Sequence, residues 1–344
     1  PECVSISFLV PEELKKEFAF KQGQNITLRM MLEGDELRRS YSICTSPHDN
    51  ELRVAVKLAP FGKFSTWANT QLKKGDEVEV LSPTGKFYTE LNASHKKNYL
   101  AFAAGSGITP VISIIKTTLA TEPNSRVTLV YGNRNRNNII FKEQLEALKN
   151  QYIDRLSIHY ILSREKTDAD INYGRINADK LNQLSQKLLN IHQADEIFIC
   201  GPEEMIFSTK TWLTEKGIDT RKIHFELFTT PGQSSAIRQE QLSPKKEIEG
   251  KTSKVTIKLD GVSFGFDLPM DGDTILEAAL KQGADLPFSC KGGVCATCKA
   301  RLLEGKVDMD VHYALEQEEI DEGYILTCQS HPRTDTVMID FDIK

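Results

Sequence analysis

Four cysteines near the C-terminus have the spacing C-x4-C-x2-C followed by a fourth cysteine after 29 residues: Cys290, Cys295, Cys298 and Cys328. This spacing is typical of thiolates that hold a 2Fe–2S cluster. Gly292 and Gly293 lie between the first two cysteines, and without a Cβ they let the backbone approach the inorganic sulfides. A zinc site and disulfides are the alternatives, but zinc sites prefer paired C-x2-C hooks and only one hook is present here. The pattern therefore predicts one-electron transfer at a 2Fe–2S cluster.

A second set of reactive side chains lies on a predicted strand, Arg39-Ser-Tyr-Ser42. Side chains alternate along a strand, so Arg39 and Tyr41 face one side and Ser42 faces the other. A guanidinium can fork onto a diphosphate, and a tyrosine ring can lie flat on a fused aromatic ring system. Ser42 is then placed to hydrogen-bond a ring nitrogen. An exposed strand without a ligand explains this tetrapeptide equally well.

Gly62-Lys-Phe-Ser65 forms a glycine loop that opens a predicted helix. Backbone N–H groups at the start of a helix can bind a phosphate. The alternative is an ordinary N-cap serine beside a turn glycine. The loop adds weight to the interpretation of Arg39–Ser42 as a site for a phosphorylated aromatic ligand.

Four further motifs each follow a predicted strand, and the first, Ala103–Pro110, sits between a strand and a helix as a dinucleotide loop does. Pro110 stands where the Rossmann fingerprint has its third glycine, so this is not the usual motif. The other three motifs are Gly132–Arg134, Ser163–Glu165 and Cys200–Met205. Carboxyl ends of parallel strands are where open α/β sheets bind ligands. For Cys200 alone, a buried inert thiol remains the alternative.

These motifs are distributed over three predicted modules. Residues 1–94 show short alternating strands typical of an antiparallel barrel or sandwich, with a helix at 65–72. Residues 95–228 alternate strands and helices, which predicts a parallel sheet with helices on both faces. Residues 229–253 are rich in Pro, Gly, Ser, Gln and Lys and are predicted to be a linker, and residues 254–344 form a small α+β domain.

Composition excludes several classes of protein. The 344 residues suggest two or three domains, and a net charge of −5 argues against nucleic-acid binding. No apolar run is long enough to span a membrane, and no signal segment is evident at the N-terminus. Cys3, Cys44 and Cys200 are an odd remainder that gives no disulfide framework. A reducing cytoplasm is therefore the expected location.

The order of modules and motifs resembles the ferredoxin–NADP reductase superfamily with a C-terminal plant-type ferredoxin domain, over the whole chain. This resemblance implies an FAD-binding antiparallel β-barrel, an NADP-binding α/β domain and a β-grasp ferredoxin domain. It implies catalytic roles for Tyr41, Ser42 and Cys200, with Tyr41 stacked on the isoalloxazine and Ser42 near its N5. Flavin-binding residues implied by the resemblance are Arg39, Ser40, Tyr41, Ser42, Val56, Lys57, Gly62, Lys63, Phe64 and Ser65. Those implied for the nicotinamide coenzyme are Gly105, Gly107, Thr109, Asn133, Arg134, Ser163, Arg164, Cys200, Gly201, Pro202 and Met205.

Within the superfamily, four segments are similar to the reductase subunits of phenylacetyl-CoA epoxidases: Trp67–Asn69, Lys291–Lys299, His312–Glu316 and Leu326–Pro332. His312 departs from the family pattern, where Asn is expected. The resemblance implies electron delivery to a multisubunit diiron epoxidase of phenylacetate catabolism. Reductases of steroid or aromatic-ring hydroxylases share the module order and remain an alternative, as does a ferredoxin-like carrier without a coenzyme.

The sequence also bears on the flow of electrons. Nicotinamide coenzymes give two electrons together and a 2Fe–2S cluster accepts one, so a flavin is required between them. Ser163-Arg164 suits the 2′-phosphate of NADPH, whereas NAD sites prefer an acidic residue there, and the adjacent Glu165 keeps NADH as the alternative. The acidic run Glu316–Glu322 is expected near the cluster, either as a docking patch for the oxygenase or as a solvated helix face.

Overall fold

A computed structural model describes residues 2–32, 34–228 and 250–343 of the chain. These residues form two compact units. The first contains the described residues up to 228 except 38–40, and the second contains residues 38–40 with those from 250 onward. The greater part of the predicted linker, residues 229–249, lies outside the described residues.

The N-terminal part of the first unit consists of short strands around an apolar interior. Strand β1 (Cys3–Phe8) pairs antiparallel with β4 (Leu52–Lys57), and β2 (Asn25–Leu32) lies between β3 (Asp35–Ser42) and β5 (Glu79–Thr84). An isolated bridge between Ile43, directly after β3, and Val54 of β4 joins the two sheets. Helix α1 (Lys63–Thr70) contributes to the interior, which contains Ile26, Leu28, Ile43, Val54, Val56 and Phe64.

The rest of the first unit is a five-stranded sheet in the order β10-β9-β6-β7-β8, parallel throughout. Its strands are β6 (Asn98–Ala104), β7 (Arg126–Asn133), β8 (Leu156–Leu162), β9 (Glu196–Gly201) and β10 (Ile223–Leu227). The intervening helices are α2 (Ile108–Thr121), α3 (Lys142–Gln151), α4 (Ala178–Lys187) and α5 (Glu203–Glu215). The strands are nearly continuous apolar runs because helices cover the sheet. This topology brings the carboxyl ends of all five strands to one edge.

The second unit contains a mixed sheet in the order β12-β11-β17-β13-β15. Its strands are β11 (Thr252–Leu259), β12 (Val262–Pro269), β13 (Lys299–Glu304), β15 (Tyr324–Leu326) and β17 (Thr336–Asp340). Only β11 and β17 run parallel among the pairs of this sheet in the described residues. Helix α6 (Ile275–Lys281), capped by Thr274, packs its apolar side into the domain core. Shorter elements are β14 (Val307–Met309), α7 (Gln317–Asp321) and β16 (Ser330–Pro332).

The predicted fold class is confirmed: a β-barrel-type module, a parallel α/β module and a small α+β module follow one another along the chain. One boundary differs, because β11 begins at Thr252 and therefore includes the last two residues assigned to the linker. Ser253 was assigned to the linker because it is polar, but its side chain is buried within that strand. Within the described residues, no helix has the length and apolar character needed to cross a membrane.

Candidate functional site

The loop after β6 packs directly on the end of β9. A Cβ on Gly107 would lie 2.1 Å from the carbonyl oxygen of Cys200, so no larger residue fits there. Gly105 has a φ of +56°, which favours glycine, and its carbonyl accepts a hydrogen bond of 2.9 Å from the Tyr131 hydroxyl. The structure thus brings together the predicted Gly105–Gly107 loop and Cys200 at the edge of the sheet.

Ser42 and Cys200 are linked by a residue that sequence reasoning missed, Glu226. The Ser42 hydroxyl donates a 3.0 Å hydrogen bond to Glu226 Oε2. Glu226 lies directly opposite Cys200 in the β9–β10 ladder. Burial, and after it the charge of Glu226, raises the pKa of the Cys200 thiol well above its usual range. Cys200 therefore stays a neutral thiol. Among Ser42, Cys200 and Glu226, the carboxylate of Glu226 is the group that can carry a charge.

Other residues predicted for the coenzyme also lie at this edge. Thr109 is buried, and its hydroxyl donates to the carbonyl of Ser106 at 3.0 Å, so it shapes the loop. The Asn133 side chain is 8% exposed, and its Nδ2 has no hydrogen-bond partner in the described structure. A Cβ on Gly201 would approach Met205 Cε to 2.7 Å, which shows how closely the end of β9 packs on α5. Pro202 is the N-cap residue of α5.

Ser163 and Arg164 are held by an extension of the β7–β8 pairing. The Ser163 N–H donates to Asn133 O at 2.9 Å, and the Arg164 N–H donates to Arg134 O at 2.8 Å. The Arg164 side chain is exposed. The Glu165 carboxylate instead pairs with Arg136. It lies 3.2 Å from Arg136 Nε and accepts a 2.8 Å hydrogen bond from the Arg136 backbone N–H. Glu165 therefore engages Arg136, an arginine other than its neighbour Arg164.

On the barrel, Tyr41 is half-buried beside the buried Phe64, with the ring centroids 5.4 Å apart. Arg39, on the same side of β3 by alternation, is exposed. Val56 is 0% exposed in the barrel core, and Phe64 is 2% exposed. Both were predicted to bind the flavin, and any such contact would have to come from their backbone atoms. Lys57 lies near the Gly105 loop, with its Nζ 3.7 Å from the position of a Cβ on that glycine.

The loop that precedes α1 is fastened by Ser65. Its buried hydroxyl accepts from the Ala59 N–H at 3.1 Å and donates to the Gly62 carbonyl at 3.1 Å. Ser65 therefore shapes the loop with its side chain. Gly62 is the N-cap residue of α1, and no side chain accepts a capping hydrogen bond there. No side-chain cap therefore competes with a phosphate for the N–H groups at the start of this helix. Lys63 pairs with Asp35 at 2.8 Å.

The cluster cysteines are arranged as two pairs. A hydrogen bond between the thiols of Cys290 and Cys295 lowers the pKa of Cys295 to about 6 and raises the pKa of Cys290. The same kind of bond lowers the pKa of Cys328 and raises the pKa of Cys298. Among the described residues, no three His, Cys, Asp or Glu side chains surround a single ion position. Two adjacent thiol pairs fit a 2Fe–2S cluster, in which four cysteines serve two irons.

Gln329 and Gly293 close the cysteine loop. The buried Gln329 Nε2 donates to Lys291 O at 3.0 Å and lies 3.5 Å from Cys328 Sγ. Gly293 has a φ of +74°, and a Cβ there would approach Val311 Cγ2 to 2.8 Å. The sequence predicted that a Cβ in this loop would collide with the sulfides. At Gly293 the collision would instead be with protein atoms. The Gly292 N–H donates a 3.3 Å hydrogen bond to Cys290 Sγ, one of the sulfur atoms assigned to the cluster.

The acidic run Glu316–Glu322 spans helix α7, and its carboxylates are not equivalent. Glu318 and Glu322 are exposed, whereas Glu319 is 1% exposed. Glu319 accepts from the Glu316 N–H at 3.0 Å and pairs with Lys299 at 3.0 Å. Glu319 therefore belongs to the structure of the domain, and only the exposed carboxylates are available to a partner.

Comparisons with known proteins agree with this geometry. Three family models match in order: an oxidoreductase FAD-binding domain over residues 3–88, an oxidoreductase NAD-binding domain over 102–211, and a 2Fe–2S iron–sulfur cluster binding domain over 257–333. A solved structure of phthalate dioxygenase reductase, described as modular for electron transfer from pyridine nucleotides to 2Fe–2S, shares the fold. Its TM-score is 0.55 at 22% identity, covering 99% of this chain and 94% of that chain.

Two curated relatives align over nearly the full length. The chain is 44% identical to one of the subunits of the 1,2-phenylacetyl-CoA epoxidase of Escherichia coli strain K12, covering 100% of this chain and 94% of the relative. It is 35% identical to the ferredoxin reductase component of 3-ketosteroid-9-alpha-monooxygenase of Rhodococcus rhodochrous, covering 98% and 92%. These matches account for an FAD site, a nicotinamide site and a 2Fe–2S site in one polypeptide. The chain belongs to the family of oxygenase reductase components in which FAD-binding and NAD-binding domains are joined to a 2Fe–2S ferredoxin domain.

Proposed function

We propose that the chain passes electrons from NADPH, through FAD and a 2Fe–2S cluster, to a diiron epoxidase that acts on phenylacetyl-CoA. The observation that carries this choice of acceptor is the 44% identity, over all of this chain, to a component of a phenylacetyl-CoA epoxidase. The steroid monooxygenase reductase is 35% identical over 98% of the chain. Both relatives align over nearly the whole chain, so the higher identity is what favours the epoxidase as the acceptor.

In this proposal, FAD binds along β3 and the loop before α1. Tyr41 supplies the aromatic face. Arg39 and the start of α1, which has no side-chain cap, bind the diphosphate. Ser40 lies between Arg39 and Tyr41 on β3. When bound, a flavin exchanges two-electron chemistry with nicotinamide for one-electron chemistry with an iron–sulfur cluster. The protein contributes binding and orientation, which the rigid strand and the Ser65-fastened loop provide.

The nicotinamide side of the site is formed by the ends of β6, β7, β8 and β9. Gly105 and Gly107 let the coenzyme approach the backbone, and Gly201 and Pro202 continue the floor of the site at β9. Cys200 provides a neutral, buried wall there, because burial keeps its thiol protonated. The hydrogen bond between Ser42 and Glu226 orients the Ser42 hydroxyl from the protein side.

Arg164 selects NADPH in this proposal. Its guanidinium is exposed at the carboxyl end of β8, and Glu165 is paired with Arg136. A 2′-phosphate therefore meets an arginine that no neighbouring carboxylate neutralises within the described residues. A hydrogen bond to a charged group contributes about 1.5–3 kcal/mol, and solvent exposure places this one near the lower end.

Steady-state reduction of ferricyanide by the parent protein and by Arg164→Ala tests the choice of coenzyme. We expect the Michaelis constant for NADPH to rise about 5- to 30-fold, the equivalent of about 1–2 kcal/mol, with that for NADH nearly unchanged. Arg126→Ala is the matched control, because it removes an exposed arginine at the amino end of β7, opposite to the proposed site. Equal losses with both coenzymes in Arg164→Ala would show that Arg164 is structural.

Reconstitution with purified oxygenase components tests the acceptor. With the phenylacetyl-CoA epoxidase components of Escherichia coli, NADPH-driven consumption of phenylacetyl-CoA should be much faster than substrate turnover with a 3-ketosteroid monooxygenase component. A Cys298→Ser variant serves as the control that lacks the cluster but retains the flavin domains. Equal or faster turnover with the steroid oxygenase would contradict the proposed acceptor.

A further inference from the structure

Phe61 is an exposed aromatic residue at the edge of the proposed flavin site. Its side chain is 104% exposed, so nothing in the described structure packs on either face of the ring. It directly precedes Gly62, the N-cap of α1. A large apolar ring in this position gives the free protein no burial energy.

The backbone of Phe61 is also strained. Phe61 has a φ of +60°, a conformation that bulky residues rarely adopt. The Gly62 N–H donates to Ala59 O at 3.1 Å, so Ala59–Gly62 is a β-turn with Pro60 in its second position and Phe61 in its third. A third position with positive φ normally carries glycine or asparagine. The chain therefore places phenylalanine where folding alone favours a residue without a large side chain.

The surrounding loop maintains this conformation. Ser65 fastens both Ala59 and Gly62 through its hydroxyl. A Cβ on Gly62 would lie 2.5 Å from Ser65 Oγ and 3.2 Å from Ala59 Cβ, so the loop has little room to rearrange. The ring is thus presented from a rigid turn, and strained residues of this kind occur at ligand clamps.

We propose that Phe61 is the platform on which the adenine ring of FAD stacks, so that this residue makes the site select FAD over FMN. The inference rests on the proposed binding of the flavin diphosphate at residues 62–65. A purine joined through that diphosphate would lie next to the loop, where the exposed ring offers a flat, apolar face. The adenine of the nicotinamide coenzyme has the same chemistry, and the test must separate the two sources.

The test is a titration of the full-length protein, freed of flavin, with FAD and with FMN, for the parent and for Phe61→Gly. We expect FAD affinity to fall about 5- to 150-fold, as for the loss of one base-stacking contact, and FMN affinity to stay unchanged. Phe61→Tyr should retain the parent FAD affinity because it keeps an aromatic face. Leu9→Ala, which truncates an apolar side chain that is 98% exposed, is the control and should change neither affinity.

Stability gives an independent readout. Because glycine relieves the positive φ, flavin-free Phe61→Gly should unfold at the same temperature as the parent or higher. An unchanged FAD affinity, equal losses of FAD and FMN, or a lowered unfolding temperature would each overturn the assignment. A loss of NADP+ affinity with FAD affinity retained would assign the stacking to the coenzyme instead and overturn it as well.

Arg39→Ala separates failure of this inference from failure of the proposed flavin site. If Arg39→Ala weakens both flavins while Phe61→Gly weakens neither, only the role of Phe61 is wrong. If neither variant changes either affinity, the flavin binds elsewhere and both proposals fail.

Discussion

Removal of the Tyr99 hydroxyl should destabilise the first unit through Glu122. The Glu122 side chain is 0% exposed and accepts four hydrogen bonds: from Tyr99 Oη at 2.9 Å, Ser125 Oγ at 2.7 Å, His95 Nδ1 at 2.8 Å and the Asn92 N–H at 3.1 Å. The network ties the segment between the barrel and the sheet to the end of α2. If the buried carboxylate loses one of these donors, its charge remains but fewer hydrogen bonds offset the cost of removing it from water.

The size of the effect follows from the charge of the acceptor. A hydrogen bond to a charged group contributes about 1.5–3 kcal/mol, so Tyr99→Phe should cost about 2 kcal/mol. For a unit of this size, that loss corresponds to a fall in the unfolding temperature of about 4–8 °C. Tyr173→Phe is the matched control, because Tyr173 is 40% exposed and its loss should change stability by less than about 0.5 kcal/mol.

The effect should also depend on pH. Burial would raise the pKa of Glu122, but the hydrogen bonds from Ser125, Asn92, His95 and Tyr99 outweigh it and hold the pKa below its ordinary value of 4.5. A depressed pKa stabilises the fold above the unfolded value, and this contribution is lost as the pH falls through the folded value. Thermal unfolding should therefore show the full difference between parent and Tyr99→Phe at pH 7 and a smaller one below pH 4.5. No difference at pH 7, or a difference that grows in acid, would refute the reasoning.

Three further outcomes are expected. Cys298→Ser should lose the iron and acid-labile sulfide of the cluster while NADPH still bleaches the flavin absorbance, and retention of a full cluster would show that the ligand assignment is wrong. Glu318→Gln with Glu322→Gln should slow electron delivery to the oxygenase and flatten its salt dependence without loss of stability, whereas Glu319→Gln should lower the stability of the domain. Parent-like salt dependence in the double variant would leave the exposed carboxylates without a docking role. Gln329→Leu should shift the reduction potential of the cluster downward by up to about 40 mV, the equivalent of about 1 kcal/mol, since one N–H···S contact is lost; an unchanged potential in an EPR-monitored titration would exclude that contact.

Local patterns in the sequence predicted most of the fold. Strand–helix alternation over residues 95–228 predicted the parallel sheet, and the turn-separated short runs before it predicted the barrel. The cysteine spacing predicted a site that is formed mainly by one loop. Such features depend on residues that are neighbours in the chain, so the chain order itself is informative.

Nonlocal features of the site were not predictable in this way. Glu226 and Ser42 are 184 residues apart in sequence, and they meet only because β10 pairs with β9 at the edge of the sheet. Val56 and Phe64 lie in segments that resemble a flavin site, yet their side chains fill the barrel core. A motif shows which segment approaches a ligand, but the facing of each side chain depends on the packing of the whole module.

Helical periodicity explains why the carboxylates of the acidic run are not equivalent. Glu318, Glu319 and Glu322 read as one block of charge in the sequence, but a helix turns through one revolution in about 3.6 residues. That rotation places Glu319 against Lys299 in the interior while its neighbours face solvent. A charge run on a short helix is thus divided between the fold and the surface.

The seven cysteines show that environment rather than residue type determines thiol chemistry. None of the seven, which all lie in the described residues, forms a disulfide. Burial raises the pKa of Cys44 to about 12 and also raises that of Cys200 well above its usual range. Both of these side chains therefore stay protonated near neutral pH. Among the four cysteines of the proposed cluster, by contrast, the thiols act on each other in pairs, which lowers the pKa of Cys295 and Cys328 and raises that of Cys290 and Cys298. The four cysteines of the proposed cluster are thus set by their mutual contacts, whereas burial in the sheet keeps Cys200 protonated where the proposed nicotinamide site needs a neutral wall.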